Sequence, residues 1–302
     1  MRIGIAGLGR MGRAIAARLA ETADDARAEI AVWNRTRARA DETGLPVMDS
    51  PRALTERSDV VVTMLFDAPA LEDVFHGPDG LLAAAADRLF IEMSTARPAT
   101  QQALAASVRE RGGAFVECPV GGTVGPARAG KLLGLMGGEP ADAARAHPIL
   151  ERLCRRIEHV GPVGAGTSLK LAINLPLLVF WQSFGEAMAM VRHLGLDPAW
   201  LVELFADTSG GPGVLKGRGP AIAAALGGND PGPATFDIDA IRKDIATMIA
   251  EASDRGFSIP VAAEALAAFD GASQAGWGPR DCVWLPALWA AHGQPPPPDK
   301  PR

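Results

Sequence analysis

The sequence predicts an α/β fold in its first half and an all-α domain in its second, joined by a long helix. Three observations carry that reading. Short apolar runs alternate with Ala-rich, helix-prone segments over roughly the first 120 residues, the pattern of βαβ units feeding a mainly parallel sheet. Strand-like runs largely cease behind a turn-rich joint, Gly161-Pro162-Val163-Gly164-Ala165-Gly166. An apolar stretch of helical length follows that joint. At 302 residues the chain exceeds a typical single domain, and the expected division is 1–164 for the α/β domain, 165–291 for the helical domain and 292–302 for a proline-rich tail with no means of packing.

The expected strands are Ile3 to Ala6, Ile30 to Trp33, Val60 to Leu65, Leu89 to Met93, Ala114 to Val116 and Leu132 to Met136, each an apolar run bounded by polar or glycine-containing segments. A helix is expected over Met11 to Ala20. The long helix spans Thr167 to Leu194, with Pro176 expected to kink it by removing a backbone donor, and Gly195 as its stop. Asp197-Pro198 opens the next helix, Ala199 to Ala206. Further helices are expected over Ile238 to Arg255, Pro260 to Ala275 and Cys282 to Ala291.

A net charge of -5 with scattered basic residues argues against nucleic acid as a partner. The most apolar long stretch, Leu171 to Val191, is interrupted by Asn174, Pro176, Gln182, Ser183 and Glu186, so a buried helix is expected rather than a membrane span. Three widely spaced cysteines, Cys118, Cys154 and Cys282, without metal-ligand spacing, suit reduced thiols. The chain enters a strand pattern at once, without a secretory signature. A soluble, cytoplasmic protein without a metal site is the expectation. Leu175 to Trp181 is apolar on nearly every helical face, which calls for neighbours on all sides and hence a homodimer or higher homo-oligomer.

Gly7-Leu8-Gly9-Arg10-Met11-Gly12 has the G-x-G-x-x-G spacing. It follows a strand and opens a helix, the context in which the glycines give a tight turn, close backbone approach to a pyrophosphate and close helix packing. A Rossmann-type dinucleotide site is therefore expected, with all six residues of the loop in contact with the cofactor and Met64-Leu65, at the end of the third strand run, beside it. The second strand ends at Asn34-Arg35-Thr36. An acidic residue there would hold the ribose hydroxyls of NAD; a neutral Asn followed by Arg35 suits a 2'-phosphate, so NADP(H) is expected, with NAD possible.

Further segments accompany this loop: Glu92-Met93-Ser94-Thr95, then Glu117-Cys118-Pro119-Val120-Gly121-Gly122-Thr123, then Gly161 through Asn174 with its Thr167-Ser168-Leu169-Lys170-Leu171-Ala172-Ile173-Asn174 end, and Lys243-Asp244. In that order they resemble the β-hydroxyacid dehydrogenase family, which includes 3-hydroxyisobutyrate dehydrogenases and glyoxylate, tartronate and succinic semialdehyde reductases. The resemblance covers nearly the whole chain. It implies Lys170 as the catalytic residue, Ser94, Gly122, Thr123 and Asn174 at the substrate, and Thr95 and Lys243 at the cofactor.

The residues suit that chemistry unaided. Reducing a carbonyl needs a hydride on carbon and a proton on oxygen, so a cationic acid belongs where the alkoxide develops, and Lys170 can be that acid. Asn174 shares its helix face. Ser94-Thr95 follows a predicted strand at the carboxyl edge of the sheet, where either ligand binding or helix capping before Arg97-Pro98 would use it. Gly121-Gly122-Thr123 offers unencumbered backbone donors to a substrate carboxylate, or a plain turn. Gly121, Pro126 and Lys131 depart from the family pattern, which has a serine, a glycine and a small hydroxyl residue there. The glycine-rich Ser209 to Gly213 stretch leaves room for a larger substrate. The expected activity is NADP(H)-dependent hydride transfer to or from a small carboxylate-bearing hydroxyacid or aldehyde acid. An imine reductase, which carries Asp or Tyr at the lysine position, and a non-catalytic NADP-binding protein are the alternatives.

Overall fold

A computed structural model describes residues 1–23 and 28–292. The chain divides into two compact units, one ending at Leu171 and the other beginning at Ala172.

The first unit is built on one sheet. Its strands are β1 (Arg2–Ala6), β2 (Glu29–Trp33), β3 (Val60–Thr63), β4 (Leu89–Glu92), β5 (Ala114–Glu117), β6 (Val120–Gly121), β7 (Leu132–Gly138) and β8 (Cys154–Gly161). The order is β2-β1-β3-β4-β5-β7-β6, with β8 paired to β7. The first five are parallel; β7 runs antiparallel to β5 and β6 and parallel to β8. The expected mainly parallel sheet is present. β3 ends at Thr63 and β4 at Glu92, short of the Val60 to Leu65 and Leu89 to Met93 runs; the Met64 and Met93 amides still donate to the Ala6 and Thr63 carbonyls of the neighbouring strands, and beyond them the Leu65 amide turns to Ser94 Oγ.

Both faces of the sheet are covered, as parallel strands require. Ile3, Ile5, Val60, Val62, Leu89, Ile91 and Val116 face one apolar cluster, and Val61, Phe90 and Phe115 face the other. This is the two-residue alternation of a strand read in three dimensions. The covering helices are α1 (Arg10–Glu21), α2 (Arg37–Asp41), α3 (Pro51–Arg57), α4 (Ala68–His76), α5 (Pro98–Glu110), α6 (Val124–Arg128) and α7 (Pro140–Leu150). The chain leaves β1 for β2 on one side and returns to β3 on the other, so the carboxyl end of β1 is the point where strand order reverses and ligands bind in such sheets.

Helix α8 (Ala165–Val191) begins in the first unit and continues through Pro176 into the second. A short 3₁₀ turn, Arg192–Leu194, extends it to Gly195, whose φ of 60° makes it the left-handed stop the sequence predicts. Asp197 then caps α9 (Pro198–Ala206) through the Trp200 amide, at 2.8 Å. The remaining helices are α10 (Val214–Leu226), α11 (Ile238–Asp254), α12 (Pro260–Ala272) and α13 (Trp284–His292). Sequence reading ends the third of these at Ala275; the chain instead forms a π-turn over Ser273–Trp277, broken at Gly276 with φ of 84°. The second unit's core holds Trp181, Phe184 and Phe269, with the Trp289 indole donating to Gln182 Oε1 at 3.2 Å. Asp281, buried, accepts from Arg218 and from the amides of Thr235 and Val283. Among the described residues no helix is long and apolar enough to cross a membrane. All three cysteines are buried and free. The expected tail lies outside the described residues, apart from His292 at the end of α13.

Candidate active site

The glycine loop leaves β1 at the strand-order reversal. Gly7 has φ of 94°, a conformation costly for any residue with a side chain. A Cβ at Gly12 would overlap the Gly7 carbonyl oxygen, so that glycine lets α1 start tight against the turn. A Cβ at Gly9 would meet nothing within 4 Å, and Gly9 provides no side-chain cap to α1. Loop and helix start thus fit a dinucleotide pyrophosphate: open backbone at Gly9 and a helix N-terminus without a competing cap.

Asn34, at the end of β2, accepts from the Leu8 amide at 2.8 Å and donates to the Thr36 carbonyl at 2.9 Å. Its side chain therefore ties the glycine loop to the β2 loop. Arg35 is exposed and makes no ion pair with the described residues, whereas Arg37 is engaged by Asp41 and Asp49.

Met64-Leu65 and Ser94-Thr95 meet at neighbouring strand ends. Ser94 is fully buried, its Oγ accepting from the Leu65 amide at 2.8 Å. Its own amide donates to Glu92 Oε1 at 2.9 Å, and Gln101 Nε2 donates to Glu92 Oε2. Arg97 begins α5 without a side-chain cap, so Ser94 joins two loops rather than capping that helix. Burial pushes the Glu92 carboxyl above the usual glutamate range, and the hydrogen bonds from Ser94 and Gln101 oppose this without cancelling it.

Gly121 pairs with Leu133 in the β6–β7 ladder. A Cβ there would make only ordinary contact, 3.5 Å from Leu133, so packing does not exclude the serine of the family pattern. Gly122 differs: its φ is 126°, and a Cβ would press on Leu132 at 2.8 Å. Thr123 precedes the short α6 without capping it through its side chain.

Sequence reading gives no role to Glu117, at the end of β5. Its Oε1 accepts from the amides of Gly164 (2.7 Å), Gly166 (2.8 Å) and Thr167 (3.3 Å), and its Oε2 from Thr167 Oγ1 (2.6 Å). The first amides of a helix have no intrahelical acceptor. Gly164, which precedes α8, has no side chain to serve them, and Glu117 does so from another element. Removing a side-chain cap of this kind costs about 0.5–2 kcal/mol. Burial pushes the Glu117 carboxyl up, against the pull of the hydrogen bonds from Thr167, Gly164 and Gly166. Lys170 follows one turn later on α8, 7% exposed.

In the second unit, Asn174 is 8% exposed, four residues along the same helix from Lys170. Lys243, on α11, pairs with the buried Asp244 at 2.6 Å.

A mainly parallel sheet with this glycine loop at its strand-order reversal, followed by a helical second half, places the chain in the class of dinucleotide-binding proteins. Comparison with known proteins narrows it. Residues 2–161 match the family described as the NAD binding domain of 6-phosphogluconate dehydrogenase, and residues 164–285 match that described as NAD-binding of NADP-dependent 3-hydroxyisobutyrate dehydrogenase. The 3-hydroxyisobutyrate dehydrogenase of Pseudomonas aeruginosa is 35% identical over 245 residues, covering 78% of this chain and 80% of its own. The NAD-dependent L-serine dehydrogenase of the same bacterium is 31% identical over 294 residues, covering 93% and 95%. Among solved structures, Psf3 in complex with NADP+ and 2-OPP superposes with a TM-score of 0.82 at 27% identity, over 95% of this chain and 99% of that one. An imine reductase from Myxococcus stipitatus shares the fold at a TM-score of 0.62 and 20% identity, over 94% and 98%. The chain belongs to the β-hydroxyacid dehydrogenase family and is an NAD(P)-dependent dehydrogenase.

Proposed function

We propose that the protein interconverts a small carboxylate-bearing hydroxyacid and its aldehyde or keto acid, with NADP(H) preferred and Lys170 as the general acid and base. The observation that carries this reading is Lys170 itself: a lysine only 7% exposed on a largely apolar helix, with the similarly buried Asn174 four residues on. Burying a cation is costly, so a lysine kept at this position has a task there, and proton transfer is the task the family resemblance implies. An imine reductase would be expected to carry Asp or Tyr at this position.

The nicotinamide supplies or accepts the hydride when bound. Gly7 to Gly12 would hold the pyrophosphate, Met64, Leu65 and Thr95 would line the cofactor from the neighbouring strand ends, and Lys243 would approach it from α11. Arg35 would engage the 2'-phosphate, while Asn34 and Thr36 shape the loop that presents it. Lys170 donates a proton to the developing alkoxide in reduction and takes it back in oxidation. Asn174 orients the reacting oxygen, and Ser94, Gly122 and Thr123 hold the carboxylate, Ser94 by fixing the loop and the other two through backbone donors. The division at 164/165 would then separate a cofactor-binding part from a part serving substrate and self-association. Ile173, 45% exposed on α8, supports a homo-oligomer, since a folded subunit leaves it uncovered.

The test is a substrate screen. Purified protein with NADPH or NADP+ is assayed against 3-hydroxyisobutyrate, L-serine, glyoxylate, succinic semialdehyde and cyclic imines. Turnover of a carboxylate-bearing alcohol or aldehyde supports the reading, and turnover confined to imines overturns it.

A further inference from the structure

We infer that Glu117 is a positioning residue for Lys170, fixing the first turn of α8 so that the lysine ammonium stands where the reacting oxygen needs it. The inference rests on Lys170 being the acid–base group proposed above.

The joint that launches α8 has little of its own to hold it. Gly161 and Gly164 have φ of 141° and 101°, and the residue before the helix is a glycine with no side chain to cap it. Such a segment permits the helix to slide or roll. Gln102 Nε2 donates to the Val163 carbonyl at 3.2 Å, and Glu117 supplies the larger restraint from outside. It sits on β5, hydrogen-bonded between β4 and β7, so its backbone is fixed by a ladder on each side. Among the described residues, all four hydrogen bonds of its carboxylate go to the 164–167 segment. Gly166 completes the clasp, because a Cβ there would overlap the Leu135 carbonyl oxygen of β7.

Thr167, which gives Glu117 both an amide and a hydroxyl donor, lies three residues before Lys170 and therefore on the same helix face. A roll of the first turn that moved the Lys170 side chain would stretch or break these bonds. The geometry of a reacting pair is demanding: a misplacement of about 1 Å costs on the order of 100-fold in rate. A buried carboxylate is expensive to keep, and placing the helix that carries Lys170 is a use that matches every partner it has.

The test is a double-mutant cycle with two readouts besides. Glu117→Asp shortens the reach by one methylene, and Glu117→Gln keeps length and acceptor; each is made in the wild type and in Lys170→Ala. Turnover and KM are measured on the best substrate found, NADPH affinity by fluorescence, and amide exchange over residues 164–167. The expected result is a kcat about 10- to 100-fold lower in Glu117→Asp, on the scale of a misplaced reacting group. NADPH affinity stays within about twofold, the 164–167 amides exchange faster, and Glu117→Gln recovers most of the loss, as the acceptor role requires. In the Lys170→Ala background Glu117→Asp has less than about a twofold further effect, because the two residues act as one unit. If Lys170→Ala is slow but Glu117→Asp keeps wild-type kcat, or slows both backgrounds equally, the inference alone falls. If Lys170→Ala turns over near the wild-type rate, the acid–base reading falls and takes this inference with it.

Discussion

Glu92 and Glu117 are register partners at the carboxyl ends of the parallel strands β4 and β5, both fully buried, and neither forms an ion pair among the described residues. Each instead holds backbone. Glu92 takes the Ser94 amide, and Glu117 takes the first amides of the helix that carries Lys170. Two strand ends are thus converted into two loop anchors, and the proximity of Glu117 adds to the upward push on Glu92.

That pairing predicts a pH-dependent stability. Both carboxyls are raised by burial, so the folded state favours their neutral forms. Their contribution to stability is complete below the ordinary glutamate range and is lost as pH rises through the raised values. Glu92→Gln removes one of them, and its amide can donate to the buried Gln101 Oε1, which has no partner among the described residues. The melting temperature of Glu92→Gln relative to wild type should therefore increase between pH 5 and pH 8, measured by calorimetry. Parallel curves for the two proteins would contradict this.

Arg35 carries the second prediction. Its exposed guanidinium has no ion pair with the described residues, and a charge-assisted phosphate contact contributes about 1.5–3 kcal/mol. Arg35→Asp should weaken NADPH binding by about 10- to 100-fold and leave NADH binding little changed or improved, as followed by fluorescence titration. A wild type that binds NADH more tightly than NADPH would sink the assignment.

The exposed apolar surface of α8 predicts self-association. Light scattering at micromolar concentration should give at least a dimer, and Ile173→Glu, which places a charge on an exposed apolar position, should shift it toward monomer. A wild-type monomer under those conditions would rule the proposal out.

Much of this molecule is readable from its residues. The apolar runs from Ile3 to Val116 appear as strands because each is buried on both faces, leaving an unbroken hydrophobic signature. β8 (Cys154–Gly161) escapes because it is a polar edge strand, with Arg155, Arg156 and His159 exposed or half-exposed and only β7 as a neighbour. Helix α10 escapes because Gly217, Gly219 and Pro220 disguise it as a loop; its ridge of Leu215, Ile222 and Ala225 becomes visible only once packed. The glycine loop and the segment around Lys170 are legible as local motifs. The roles of Asn34 and Glu117 are not, since the first bonds residues across 26 positions and the second across as many as 50.

Proton transfer by Lys170 is the step on which the proposed chemistry turns. The most direct measurement is the turnover of Lys170→Ala on the best substrate found, with NADPH binding followed in parallel. The expected kcat is lower by about 100-fold or more, the scale of general acid–base catalysis, at nearly unchanged NADPH affinity. Turnover near the wild-type rate in that variant would contradict it.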